Sequence, residues 1–307
     1  MNIIYENVDI TSDININYAA IEDSAGGIAD SLELIFNDEN KLWRQWNPSK
    51  NNKIIIKNDN FSSGVMYLDE IYMKKGLYRL KAISTPLKAK TPKNATWENI
   101  SFSKLAKDLI KDLDLELATY NLNTDWIYER VEQINQNSLD LLNMRCILEG
   151  YRLKVSDNKA IIYSENILEK SEPVLKLTEA DLPANYEFKN LSSGIYSSCL
   201  VSDVYKDSII SYEYKPVNAP QGPILKPKVR VMNHAEAERY SMNLLNFHNK
   251  NEITASLSIR LNTNVASGNV IEIVGLGNFS GKYFVEKTKH YFTEDKTSLK
   301  ARKLMEG

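Results

Sequence analysis

At 307 residues, with 43% hydrophobic and 25% charged residues, the chain has the composition of a soluble globular protein and the length of about two or three domains. Its formal net charge of -2 excludes the bulk electrostatic attraction that drives binding to nucleic acid or anionic lipid. No apolar stretch approaches the ~18 residues that a spanning helix needs, and the opening MNIIYENVDI lacks the basic and apolar regions of a signal peptide, so none is expected.

Residues 1–90 read as a meander of antiparallel strands. ININ alternates Ile14 and Ile16 with asparagines, and DSLELIF sets Leu32, Leu34 and Phe36 on one face. NKIIIK, VMYLDEIYM and LYRLKAI follow, separated by the turn-forming NPSKNN, NDNFSSG and KKG. Between the first strands, KLWRQWN presents Trp43, Arg44 and Trp46, either an interface anchor or, for Trp43, a core residue.

STPLKAKTPKN (84–94) reads as a linker. Beyond it, Ser101 caps a helix with Phe102, Leu105, Ala106, Leu109, Ile110 and Leu113 at helical spacing. The acidic residues Asp108, Asp112, Asp114 and Glu116 read as its solvated side, since no polar partner converges on them for acid–base work. A second helix starts at Ser138 and stops at Gly150, with Leu139, Leu142, Cys146 and Ile147 on its stripe. YRLKVSDNKAIIYSE then reads as a hairpin turning at Asp157-Asn158, completing a small α+β unit.

From about residue 173 strands return: SSCLVSDVY, SIISYEYK, ITASLSIRL, NVIEIV, KYFVEKTKHYF and TSLKARK. In KPKVR, which follows several prolines, Lys226, Lys228 and Arg230 form a short basic patch, a contact arm or a solvated loop. Asn233 caps a helix over 234–249 whose stripe is Ala237, Tyr240, Leu244 and Phe247. In ITASLSIRL the residues Ile253, Ala255, Leu257, Ile259 and Leu261 face inward, and Thr254, Ser256, Ser258 and Arg260 face out.

The two strand-rich ends resemble each other. ADSLELIFN aligns with TASLSIRLN, placing Leu32 on Leu257; Asn60-Phe61-Ser62 aligns with Asn278-Phe279-Ser280, with Gly64 beside Gly281. A duplicated β-module is expected, not a short-period array. This decides the Gly275-x-Gly277 stretch, whose next glycine, Gly281, misses the dinucleotide spacing and precedes a strand instead of a helix. His234, His248 and His290 have no metal-ligand spacing around them, and Cys146 and Cys199, in different segments, read as unpaired thiols. No nucleophile–base arrangement, phosphate loop or zinc pattern appears, so no catalytic residue, cofactor or metal is assigned.

The chain resembles the late control gene D proteins, the baseplate hubs of contractile phage tails and phage-tail-like bacteriocins. The likeness is carried by GGIADSLELIFNDENKLWRQWNPSKNNKIII at one end and by AEAERYSMNLLNFHNKN, ASGNVIEIVGLGNFSGKYFVEKTKHYF and SLKARKLMEG at the other, with FSKLAKDLI and SLDLLNMRCILEGYRLKV between. The middle unit is also similar to peptidoglycan-binding LysM-like folds. The resemblance implies an α+β, mainly β fold: two similar tube-protein-like antiparallel β-barrel modules flanking a small α+β domain. The expected bounds are 1–92, 93–172 and 173–307, the last carrying the inserted helix. It implies a non-enzymatic baseplate hub, a homotrimer in the assembled particle that joins a sixfold tail tube to a threefold central spike. The implied partners are the tube protein, the spike, other baseplate proteins and the tape measure protein. Synthesis is expected in the bacterial cytoplasm, without specific nucleic acid or membrane insertion. His290 falls on the family's recurrent histidine and is read as a packing residue. The competing reading is a cell-wall-binding or cell-wall-hydrolysing protein acting through the middle unit.

Overall fold

A computed structural model describes residues 1–58, 61–183 and 186–304. The first module contains β1 (Asn2–Tyr5), β2 (Asn15–Ser24), β3 (Ser31–Asn37), β4 (Lys53–Asn58), β5 (Met66–Lys74) and β6 (Leu77–Ile83). Period-two alternation explains its core: Leu32, Leu34 and Phe36 from β3 meet Leu80 and Ala82 from β6, Ile54 and Ile56 from β4, and Ile3 from β1. The one-turn helix Leu42–Trp46 drops Trp43 into this cluster, 1% exposed, stacked 5.8 Å from Tyr78 and tilted 4.7 Å from Phe36. Trp43 is therefore core and offers no contact surface.

The middle unit follows, with β7 (Lys93–Ser101), α1 (Phe102–Ile110), β8 (Glu116–Tyr120), β9 (Ile127–Gln136), α2 (Ser138–Leu148), β10 (Arg152–Ser156) and β11 (Lys159–Tyr163). Ser101 caps α1 by accepting from the Lys104 N–H, and α2 starts at Ser138 as expected, capped by Asn137. The β10–β11 turn at Asp157 and Asn158 has positive φ at both residues, as a two-residue hairpin requires. Most of the segment read as a linker is ordered: Leu87–Lys90 is a 3-10 turn and Lys93 already opens β7, whose long pairing with β9 the sequence reading missed.

The remaining elements are β12 (Leu175–Thr178), β13 (Glu187–Asn190), β14 (Ser198–Tyr205), β15 (Ser208–Tyr214), α3 (His234–Asn249), β16 (Ile253–Arg260), β17 (Val270–Val274), β18 (Gly281–Tyr291) and β19 (Lys296–Lys303). They form two bodies. The strands β12, β13 and β16–β19 surround Ala255, Leu257, Ile271, Ile273, Tyr283, Val285, Leu299 and Ala301. The hairpin β14–β15 was expected in this sheet. It pairs instead with Ile224–Leu225 and packs under α3 around Cys199, Val201, Ile210, Ala237 and Tyr240. Phe247, expected on the buried stripe of α3, is half-exposed, under the side chains of Arg152 and Lys250. Cys146 lies in the middle core and Cys199 in this insert, both buried and free.

The duplication is visible in the pairing. The first module runs β2-β3-β6-β5-β4-β1 and the second β13-β16-β19-β18-β17-β12, strand for strand. Both carry a bulge at the same place, between Leu68 and Glu70 in β5 and between Val285 and Lys287 in β18. Leu80-Lys81-Ala82 matches Leu299-Lys300-Ala301 across them. The last pair differs: β1 is antiparallel to β4, whereas β12 is parallel to β17.

The ladder register corrects the sequence alignment. Leu34 lies opposite Leu80 and Leu257 opposite Leu299, so Leu257 corresponds to Leu34, and Leu32 corresponds to Ala255. The expected match of Leu32 to Leu257 was two residues out, on the right strand and the right face. Phe61 and Phe279 occupy the same connection in unlike conformations, a short strand beside β4 and a 3-10 turn; Asn60 lies outside the described residues. Gly275 and Gly277 turn the chain between the antiparallel β17 and β18.

The modules are joined edge to edge. Residues 20–24 of β2 pair with residues 287–291 of β18, which fuses both modules into one 14-stranded sheet among the described residues. His290 sits at this seam, 1% exposed, with Nδ1 2.9 Å from Thr297 Oγ1 and its ring edge-on to Phe61.

Replacing Trp43 by Ala should cost about 3–5 kcal/mol, as expected for a fully buried aromatic whose neighbours cannot collapse into the space. Urea unfolding followed by circular dichroism measures it; a loss under about 1 kcal/mol would show that Trp43 is not the centre of this core.

Candidate functional site

Among the described residues the polar chemistry gathers where the units meet. Lys154, on β10, reaches to the module seam. Its Nζ donates to the Asp23 carboxylate, to the Ser24 carbonyl at 2.7 Å, to Ser267 Oγ at 3.2 Å and to Asp30 Oδ1 at 3.4 Å. The backbone N–H and hydroxyl of Ser267 both donate to Asp23, at 2.9 and 2.7 Å. One ammonium thus ties the middle unit to both modules.

Two close approaches hold the middle unit there. Tyr163 donates its hydroxyl to the Ala25 carbonyl and the Gly27 N–H donates to the Leu153 carbonyl at 3.0 Å. A Cβ on Gly26 would lie 2.8 Å from that same Leu153 oxygen, and one on Gly64 would lie 2.7 Å from the Asp157 Cβ. Only glycine lets the strand ends approach this closely.

A second cluster joins β10, the one-turn helix Glu165–Glu169, the end of α3, and β18–β19. Glu286, the bulge residue of β18, accepts from Arg302 Nε at 2.7 Å and Arg152 Nη2 at 3.2 Å, and lies 3.2 Å from Lys250 Nζ. Lys250 and Arg302 also reach Glu165, at 3.0 and 3.4 Å, and Arg302 pairs with Glu169. Three cations face three carboxylates. Burial alone would raise Glu286, but Lys250, Arg152 and Arg302 hold its carboxyl below the usual range; burial lowers Lys250. A cleft of about 440 Å³ opens beside them, lined by Arg152, Phe247, Lys250, Arg302 and Leu304. The buried carboxylate of Glu149 accepts from Tyr128 at 3.1 Å and from Arg239 Nε at 3.0 Å, fixing α3 to the middle unit.

These clusters join the units to one another. Removing one partner of a buried pair is costly, whereas the intact pair adds little net stability. The sequence reading did not find them. Their members are scattered from Asp23 to Arg302, and no local spacing marks them.

The residues read as candidate contacts lie on three different elements. Arg44 is exposed beside the buried Trp43, and Trp46 is half-buried, edge-on to Trp43 at 5.0 Å. Lys226, Lys228 and Arg230 are exposed on an extended segment whose alternate residues, Leu225 and Val229, pack on the α3 insert. Thr254, Ser256 and Ser258 are half-exposed on the outer side of β16, Ser258 Oγ lies 3.3 Å from Ser298 Oγ, and the exposed Arg260 pairs with Asp295 at 2.8 Å. Of the acidic residues, Asp108 pairs with Lys104, Asp112 with Lys93 and Asp114 with Lys88. Among the described residues no group of three or more His, Cys, Asp or Glu side chains gathers at metal distance, and no helix is long and apolar enough to cross a membrane.

No family model and no curated protein matches the sequence. Solved structures do match in fold. A tail protein from Neisseria meningitidis MC58 superposes with a TM-score of 0.77 at 10% identity, over 98% of this chain and 95% of that one. The 43 kDa tail protein of prophage MuSo2 from Shewanella oneidensis gives 0.76 at 8% identity, over 98% and 97%. The E. coli c3393 protein, a type VI secretion component with structural similarity to the T4 tail proteins gp27 and gp5, gives 0.60 at 10%, over 95% and 74%. Along its length the chain has the mainly β, α+β fold of these tail proteins.

Asp30 offers a test of the junction. Burial pushes its carboxyl from 3.8 up to about 7 against the pull of Lys154, with Asp23 adding to the rise. Between those values the folded chain keeps a proton that the unfolded chain releases. Its contribution to stability is therefore full below pH ~4 and is lost as pH rises through about 7. The stability difference between the native chain and Asp30→Asn should decline by a few kcal/mol over that window and be flat above it. Urea midpoints measured from pH 4 to 8 check this; a difference independent of pH would contradict it.

Proposed function

We propose that this chain is a structural baseplate hub of a contractile tail or tail-like particle. In this reading it is a trimeric symmetry adapter joining the sixfold tail tube to the threefold central spike. The observation that carries the proposal is one β-module present twice in a chain and fused edge to edge, so that three chains would present six similar modules in one ring. A ring interface repeats one patch around its axis, and a sixfold ring cannot meet a threefold object without an adapter of this kind. The fold shared with phage and prophage tail proteins supports the same reading.

The modules at 1–92 and 173–307 would build the ring, the latter with its hairpin–helix insert, and the unit at 93–172 would brace the seam. The partners would be the tube protein on one side and the spike on the other, with other baseplate proteins and the tape measure protein nearby. The hub would be made in the bacterial cytoplasm, reside in the tail baseplate or tail-like bacteriocin particle, and carry no enzymatic activity. The buried ion pairs suit a part that must hold one geometry under load.

Mass measurement or cryo-EM of particles containing this chain should find three copies per tail, with the two modules alternating around one ring. Six copies, or a ring built from only one module, would end the adapter reading.

A further inference from the structure

The internal seam has a vacant counterpart. In the second module β18 pairs with β17 over Gly281–Phe284 and, beyond the bulge at Glu286, passes to β2 over Lys287–Tyr291. In the first module β5 pairs with β4 at Met66 and Tyr67, but beyond the bulge at Asp69 its residues Glu70–Lys74 have β6 as their one ladder partner among the described residues. The counterpart of β2 in the second module is β13, which among the described residues ends the sheet and pairs with β16 alone. The two edges that meet inside the chain therefore both recur, and both copies stand open.

Side-chain burial says the same. His290, at the closed seam, is 1% exposed, and its counterpart Met73 is 52% exposed, with Tyr72 and Leu191 each at 46%. Apolar groups and unpaired backbone on an open edge are a template for another strand.

We propose that Glu70–Lys74 of one chain pairs antiparallel with Glu187–Leu191 of a second copy, in the register of the internal seam. The register follows from the shared ladders. Ile21 and Phe188 are equivalent because they lie opposite Leu32 and Ala255, which in turn lie opposite Ala82 and Ala301. Lys287 and Glu70 are equivalent because they lie opposite Lys300 and Lys81. The internal pairs Lys287 with Ser24, Lys289 with Glu22 and Tyr291 with Ala20 become Glu70 with Leu191, Tyr72 with Lys189 and Lys74 with Glu187. His290 opposite Ile21 becomes Met73 opposite Phe188.

The charges agree with this register. Lys74 faces Glu187 directly. The internal seam is clasped by Lys287 and Glu22 at 2.6 Å, and the corresponding residues are Glu70 and Lys189, the same pair with the signs exchanged. Rim charges of this kind fix register and partner choice more than strength. The contact is heterologous, one chain's first module against the next chain's second, so it repeats head to tail. The strand pairing stands without the hub reading; closure of the repeat at three chains rests on it.

Disulfide trapping tests the pairing. Chains carrying Tyr72→Cys are mixed with chains carrying Lys189→Cys and oxidised mildly, both as the concentrated protein and in material co-purified with its particle. Directly opposed strand residues have Cα separations that a disulfide spans, and the native thiols are buried. The expected result is a mixed dimer joined at these two positions. Its yield should exceed that of Tyr72→Cys mixed with Ser211→Cys, a control on the exposed hairpin. Lys74→Glu should abolish the excess and Glu187→Lys in the partner should restore it. A yield at the control level in both preparations would overturn the seam. A strong mixed dimer in a particle with a copy number other than three would keep the seam and remove the hub reading.

Discussion

The β2–β18 ladder is the constraint on which the molecule depends. It brings residues 20–24 against residues 287–291, nearly the full length of the chain apart, and turns two self-contained modules into one sheet. Everything between those strands must return to this place. The middle unit does so through Lys154, inserted among Asp23, Asp30 and Ser267 at the seam. The insert does so through α3, whose end places Lys250 against Glu286, one residue before the seam strand begins.

Charges at these joints do a job that apolar packing does poorly. Hydrophobic contact is non-directional and tolerates sliding, whereas Glu286, Lys250, Arg152 and Arg302 pair in one arrangement of four elements. The bulge explains why an acid can stand there. It re-aims one side chain of β18 without breaking the strand, and the equivalent bulge residue of β5, Asp69, points to a surface lysine, Lys90. One module feature has thus become a joint in one copy and a surface ion pair in the other. That asymmetry lets two similar modules take unlike places in a chain.

What the sequence disclosed followed from local periodicity. The alternation in DSLELIF and ITASLSIRL set the inward faces of β3 and β16, and the Asp157-Asn158 turn and the caps of α1 and α3 were visible as short-range signals. The two-residue error in aligning the copies has a plain cause. Side chains alternate with period two, so a slip of two keeps every residue on its face and leaves the pattern unchanged. The same limit put β14 and β15 into the wrong sheet, because alternation marks a strand without naming its partner. The short strands β1, β12 and β13 carry too few residues for a period to show. Lys154 and Glu286 looked like any surface charges, since burial by distant segments leaves no local mark. Trp43 was legible only as a choice between core and contact, which its ring of aromatic neighbours decides.

The claim that the seam holds the molecule together is most directly tested by native-state hydrogen exchange with residue resolution. Amides of residues 20–24 and 287–291 that lie in the ladder should be among the slowest in the chain and exchange only through global unfolding. Those of the open edge at 70–74 that point away from β6 should exchange fast in the isolated protein. Seam amides exchanging as fast as the edge, by local opening, would mean that the two modules are held by something other than their shared sheet.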